Sequence, residues 1–153
     1  MTDDFIAIPS APSIPGLKFR HFRGESDFPH MVEAIAASAD ADKDERVTTV
    51  GDIANQYAHL TNSDPYQDMI FSEINGKVIG YSRCWWNPEE NNGPYLYSFV
   101  GFLVPDWRRK GIGRAILRWL ENRMRDMPPA THWIGQSTSR FLSHNLKPDW
   151  RSC

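Results

Sequence analysis

The stretch Val100-Gly101-Phe102-Leu103-Val104-Pro105-Asp106-Trp107-Arg108-Arg109-Lys110-Gly111-Ile112-Gly113-Arg114-Ala115 constrains the fold more than any other part of the chain. The aromatic, β-branched run from Tyr95 to Val104 reads as a central strand, and Pro105 stops it. A tight turn with two glycines follows. From Gly113 to Met127 a helix is expected, with Ile112, Ala115, Ile116, Trp119, Leu120 and Met124 facing inward and Arg114, Arg118, Glu121 and Arg125 outward. At such a junction the turn and first helical amides lack internal partners, and the helix dipole adds positive charge, so phosphate fits there. Gly111 and Gly113 let the backbone approach oxygen atoms closely, while Arg108, Arg109, Lys110 and Arg114 gather formal charge around the same point. Neither GxxxxGK[ST] nor GxGxxG is present, which disfavours nucleotide hydrolysis and dinucleotide binding.

The charge distribution supports an anion site at this corner. Residues 1–90 hold 15 acids against 7 bases, whereas residues 91–153 hold 4 acids against 10 bases. Seven of the 17 Lys and Arg residues fall between Arg108 and Arg125. A nucleic-acid partner is disfavoured, because the rest of the chain is acidic and carries no recognition motif. At 153 residues there is room for one domain with a real core, and 41% hydrophobic content excludes disorder. No apolar run approaches the ~18 residues of a membrane span, and the acidic start Met1-Thr2-Asp3-Asp4 is unlike a secretory signal, so a cytoplasmic protein without a membrane partner is expected. Cys84 and Cys153 make no disulfide framework, and the five histidines show no metal-ligand spacing, so no metal is expected. Cys84 reads as a buried small hydrophobe rather than a nucleophile.

Along the chain, residues 1–16 form an extended lead-in, with Pro9, Pro12, Pro15 and Gly16 denying it regular structure, and residues 17–153 form the domain. Lys18 to Arg23 alternates as a first strand. A helix capped by Ser26 or Asp27 follows, with Phe28, Met31, Val32, Ile35 and Ala39 on one stripe, and then a charged loop over Asp40 to Glu45. Thr49 and Asp52 form a capping box opening a second helix, whose stripe is Ile53, Tyr57 and Leu60 and whose end lies at Asn62 to Pro65. Met69 to Ile74 and Lys77 to Trp86 are strands joined by Asn75-Gly76, a pair suited to a type I′ turn. Thr131 to Thr138 reads as a fifth strand, parallel to the one before the last helix because a helical crossover joins them. The fold class is α/β, a mixed central sheet in the order β-α-α-β-β-β-α-β with a shortened C-terminus.

Over roughly residues 17–138 the chain resembles the GNAT superfamily of acetyl-coenzyme A-dependent N-acetyltransferases. Their hallmark Q/R-x-x-G-x-G/A is matched by Arg108-Arg109-Lys110-Gly111-Ile112-Gly113, Leu103-Val104-Pro105 looks like the family's strand end, and the element order agrees. The resemblance implies that acetyl-CoA is the cofactor and that the turn amides hold its pyrophosphate. It further implies that the main chain near Gly101 to Val104 pairs with pantetheine, so that Leu103, Val104, Arg108, Arg109, Lys110, Gly111, Ile112, Gly113 and Arg114 are the cofactor-binding residues. The reaction implied is transfer of an acetyl group to a primary amine of a small molecule or peptide by direct attack in a ternary complex. Where some members carry a glutamate, eleven residues before the motif, this chain has Tyr97; Glu90, with Glu89 beside it in the loop before the strand, is the carboxylate candidate for catalysis. The aromatic residues Tyr81, Trp85, Trp86, Tyr95 and Tyr97 either wall an acceptor pocket or pack the sheet, the latter being favoured.

The chain departs from the family after the fifth strand. Ser139 to Cys153 is too short and polar for the usual helix and two strands, Asn145 does not match the usual asparagine, and the usual tyrosine acid has no counterpart. Two expectations follow: a second subunit, as a homodimer, or a partner domain covers the open edge of the last strand, and the alternative to an enzyme is a non-catalytic coenzyme A-binding or interaction module.

Overall fold

The structure is a computed structural model in which residues 4–43, 45, 47–88, 95–127 and 134–137 are described. The chain begins with a short strand, β1 (Phe5–Ile6), and continues into β2 (Leu17–Arg20). Two helices follow, α1 (Phe28–Asp42) and α2 (Val50–Ala58), and then the single turn α3 (Pro65–Asp68). Next come β3 (Met69–Ile74), β4 (Lys77–Pro88), β5 (Tyr95–Leu103), α4 (Ile112–Asp126) and β6 (Ile134–Ser137). The six strands form one sheet in sequence order, antiparallel throughout except for the parallel pair β5–β6. The mixed α/β sheet expected from sequence is therefore present.

Local signals explain most of these elements. Asn75 and Gly76 both take positive φ, 51° and 83°, which closes β3 onto β4 in two residues. At α2, Thr49 Oγ1 accepts from the Asp52 amide at 3.1 Å while the Asp52 carboxylate accepts from the Thr49 amide at 2.9 Å. The α4 stripe is buried as expected, with Leu117 added to it and Trp119 only half-buried.

Three expectations are corrected. The helix α1 runs on to Asp42 rather than giving way to a loop at Asp40, and Lys43 closes it in the left-handed conformation. Asp27 precedes α1 without a side-chain cap bond, because its carboxylate is committed elsewhere: it accepts from Arg20 at 2.7 and 3.0 Å and from the Arg23 amide at 2.8 Å. The lead-in carries β1, paired with β2, and its Ile6, Ile8, Ala11 and Ile14 pack on the core.

The sheet separates two apolar clusters. On one face Phe22, Phe28, Met31, Ala34, Ile53, Met69, Phe71, Val78 and Tyr81 join α1 and α2 to the strands. On the other, Ile70, Cys84, Tyr97, Phe99 and Leu103 meet Ile112, Ala115, Ile116, Leu120 and Met124 of α4. A register shift at Ser72/Glu73 leaves Ile79 as an extra residue on β4, so Val78 and Tyr81 share a face. No helix among the described residues is long and apolar enough to cross a membrane.

Candidate active site

The corner expected to bind an anion is built by the end of β5. Pro105–Trp107 make a one-turn 3₁₀ helix, Arg109 takes the left-handed conformation at φ 63°, and Gly111 does so at φ 90°. Gly111 is the residue that opens α4, and no side chain caps the helix there. Its missing side chain also faces the lead-in, since a Cβ would stand 3.4 Å from Pro12 Cβ. Arg109, Lys110 and Arg114 are exposed around this opening, Ile112 is buried beneath it, and Gly113 lies within the first helical turn.

The basic residues do not all serve the corner. Arg108 is half-buried and its Nε donates to the Leu103 carbonyl at 3.0 Å. Arg123 donates to Asp68 at 2.6 Å and to Gln67 at 3.2 Å, tying α4 to α3. The Leu103 carbonyl also accepts from Ser38 Oγ at 3.3 Å, and the Val104 amide donates to Ile79 at 2.8 Å while its carbonyl accepts from Trp107 at 3.0 Å. The main chain at Leu103 and Val104 is thus largely used within the fold, and the remaining contribution of these two residues is apolar wall.

Among the described residues β6 is in register with Leu96–Phe99, and β5 itself runs on from Val100 to Leu103 before reaching the corner. Tyr97 stands opposite Gly135 of β6 and Trp86 of β4, 1% exposed, in the cluster under α4. Glu89 and Glu90 lie outside the described residues, as do residues 138–153 with Asn145 and Cys153. Among the aromatic candidates whose side chains are described, Tyr81, Trp86 and Tyr97 belong to the two core clusters, and Trp85 lines a cavity; the Tyr95 side chain lies outside the described ones. Cys84 is fully buried, and burial pushes its thiol up to about 12, consistent with a packing residue.

That cavity, about 400 Å³, is a feature the sequence did not disclose. It lies on the α1/α2 side of the sheet between α2, the segment after it and β4, lined by Asn55, Gln56, His59, Thr61, Arg83 and Trp85 with Leu60 and Asn87. The available signal was an arginine inside a strand otherwise rich in aromatic and apolar residues. Among the described residues no group of His, Cys, Asp or Glu side chains could hold a metal ion.

Residues 31–143 match the model of the acetyltransferase (GNAT) family. The chain belongs to this family. Solved structures share its fold at low identity. A GCN5-related N-acetyltransferase from Sphaerobacter thermophilus superposes with TM-score 0.61 at 21% identity, covering 76% of this chain and 34% of that one, so this chain spans about a third of that relative's length. The Salmonella typhimurium protein yncA with its cofactor acetyl-CoA gives 0.58 at 21% identity, covering 78% and 69%. An aminoglycoside acetyltransferase from an uncultured soil metagenomic sample, in complex with sisomicin, gives 0.55 at 12% identity, covering 90% and 83%. No curated protein matches. The family is one of acetyltransferases, and acetyl-CoA is its cofactor. The corner fits that group: an uncapped helix start, a left-handed Gly111 and three exposed cations suit a pyrophosphate.

Proposed function

We propose that the chain is an N-acetyltransferase that moves the acetyl group of acetyl-CoA to a primary amine of a small molecule or peptide, by direct attack within a ternary complex. The observation that carries this reading is the strand–turn–helix corner at the end of β5, with its uncapped α4 and exposed Arg109, Lys110 and Arg114. In this reading the amides from Gly111 to Arg114, with the side chains of Arg109, Lys110 and Arg114, hold the pyrophosphate, Arg108 braces the corner through the Leu103 carbonyl, and Leu103 and Val104 wall the pantetheine arm. Acetyl-CoA supplies a thioester carbonyl: the amine nitrogen bonds to it, the carbon–sulfur bond breaks, the amine loses a proton and the thiolate gains one. Tyr97 and Glu90 are the groups proposed to handle those protons, a phenol being suited to donate near neutral pH and a carboxylate to accept.

Calorimetric titration with acetyl-CoA tests the corner. Arg109→Glu and Lys110→Glu are each expected to weaken binding about tenfold or more; unchanged affinity refutes the assignment. Release of free thiol with an amine panel separates the enzyme from a non-catalytic coenzyme A-binding module, which would bind the cofactor and release none. Tyr97→Phe is expected to lower kcat while leaving acetyl-CoA affinity unchanged. β6 is an edge strand among the described residues, and we propose that a second subunit or a partner domain covers it. Sedimentation across concentration reads the first case, and a strictly monomeric species counts against it.

A further inference from the structure

Two arginines lie buried on the α1/α2 face of the sheet, and their surroundings differ in kind. Arg20 on β2, 1% exposed, is held by Asp27 at 2.7 Å and by Glu73 at 2.6 Å, so its charge is met within the fold. Arg83 on β4, 6% exposed, has no carboxylate in ion-pair range among the described residues, and its Nε is sealed from solvent without a hydrogen-bond partner. The rings of Tyr57 and Trp85 hold the guanidinium, at 5.4 and 4.8 Å. With the Asn87 amide turned so that its oxygen faces the indole, the orientation that satisfies both of its polar atoms, Trp85 Nε1 donates to it at 3.3 Å. A guanidinium set against two rings, with no carboxylate partner among the described residues, is costly in the free protein and pre-organised for a planar anion.

Arg83 also lines the cavity of about 400 Å³, whose other described walls are amides, a hydroxyl, an imidazole and Trp85, with no carboxylate. That lining is unsuited to a polycation such as an aminoglycoside and suited to a small acceptor with one negative group. Register links the cavity to the proposed chemistry: Arg83 stands opposite Val100, three residues or about 10 Å along β5 from Leu103. We infer that this cavity is the acceptor site and that Arg83 pairs with a carboxylate on the acceptor, so that the substrates are amines of the amino-acid class. A carboxylate is favoured over a phosphate because a single planar fork matches one planar anion, and the described lining offers no second arginine or lysine. This inference rests on the acetyltransferase reading and specifies its substrate.

The test is thiol release from acetyl-CoA by the full chain with a panel of amino acids, each as free acid and as carboxamide, together with simple alkylamines and aminoalkyl phosphates. At least one free acid is expected to be turned over with a kcat/KM about a hundredfold above its carboxamide. Arg83→Met should raise the KM for that acid by a similar factor, Arg83→Lys should retain part of the affinity, and acetyl-CoA affinity should be unchanged in both, which also reports that each variant is folded. Equal turnover of acid and carboxamide, a preference for alkylamines or phosphates, or an unchanged KM in Arg83→Met overturns the inference. So does the absence of turnover of every acid by a protein that binds acetyl-CoA and acetylates other amines. Failure of the underlying reading looks different: acetyl-CoA does not bind, or no amine of any kind releases thiol.

Discussion

Replacing each buried arginine by methionine should change stability by very different amounts, and the structure sets the size of each effect. In Arg20→Met the guanidinium that donates to Asp27, to Glu73 and to the His21 carbonyl at 2.9 Å is lost. Two buried carboxylates then remain, and among the described residues Arg23 Nη1, 3.9 Å from Glu73, is the cation left in ion-pair range. Breaking a buried pair in this way costs about 3–5 kcal/mol, a large part of the ~5–15 kcal/mol that holds a domain together. In Arg83→Met no carboxylate is stranded. What is lost is the attraction to the Tyr57 and Trp85 rings, on the order of 0.5–2 kcal/mol, part of which a thioether beside the same rings restores. What is gained is relief of a buried donor without a partner, roughly 1–3 kcal/mol. The expected balance runs from a destabilisation of at most about 1 kcal/mol to a stabilisation of about 2.5 kcal/mol, clear of the loss expected for Arg20→Met. Urea unfolding of the ligand-free protein, extrapolated linearly with the slope compared among variants, reads both numbers. If Arg83→Met destabilises as much as Arg20→Met, the charge of Arg83 is compensated inside the fold, and the reason for expecting an external anion disappears.

Three further outcomes are expected. A Cβ at Gly80 would stand 2.5 Å from the Phe102 carbonyl oxygen and 3.2 Å from Leu103 Cα, so Gly80→Ala should force β4 from β5, cost about 1–3 kcal/mol and weaken acetyl-CoA binding; wild-type affinity would show that the strand end does not position the cofactor corner. Cys84 should resist thiol reagents in a native Cys153→Ser protein. Its folded-state value, pushed by burial from 9.0 to about 12, lies above the unfolded one, so this contribution is full below about pH 9 and is lost as pH rises beyond it, a decline that Cys84→Ala should remove. Thr49→Ala removes the α2 capping box and should cost about 0.5–2 kcal/mol in a thermal melt, with a higher acceptor KM because α2 carries Asn55 and Gln56 to the cavity; an unchanged melt would mean that tertiary packing alone sets the helix start.

The elements legible in the sequence are those whose cause is local. Asn75-Gly76, the Thr49 and Asp52 box, and the α4 stripe each act over four residues or along one helix, so composition and spacing suffice. Asp27 was misread because a capping aspartate and an ion-pairing one look alike until Arg20 and Glu73 are brought together by β2–β3 pairing. The lead-in was misread for a related reason. Its prolines break periodicity, yet Ile8, Ala11 and Ile14 need no periodic backbone to cover an apolar surface. Arg83 was invisible as a site residue because its face depends on register. The extra residue at Ile79 shifts the alternation of β4, and only with the bulge in place does Arg83 follow Tyr81 onto the side where α2 packs.

The two proposed subsites lie on the paired strands β5 and β4 but draw on different cores, and this bears on how one sheet can serve both. Tyr97, Phe99 and Leu103 anchor α4, and so set where its first turn opens, through the cluster on one face. The Arg83 cavity depends on α2 and β4 on the other. The Leu103 carbonyl is the junction between them, receiving Ser38 of α1 from the acceptor side and Arg108 of the anion corner at the same oxygen. An oxygen with both lone pairs engaged fixes its peptide plane, and the following residue, Val104, is locked by Ile79 and Trp107. The corner is therefore held from both faces of the sheet at the point where β5 ends. A rigid anchor where β5 ends is the arrangement a transferase needs when a long, flexible acyl carrier must present its reactive end at a fixed distance from a separately bound amine.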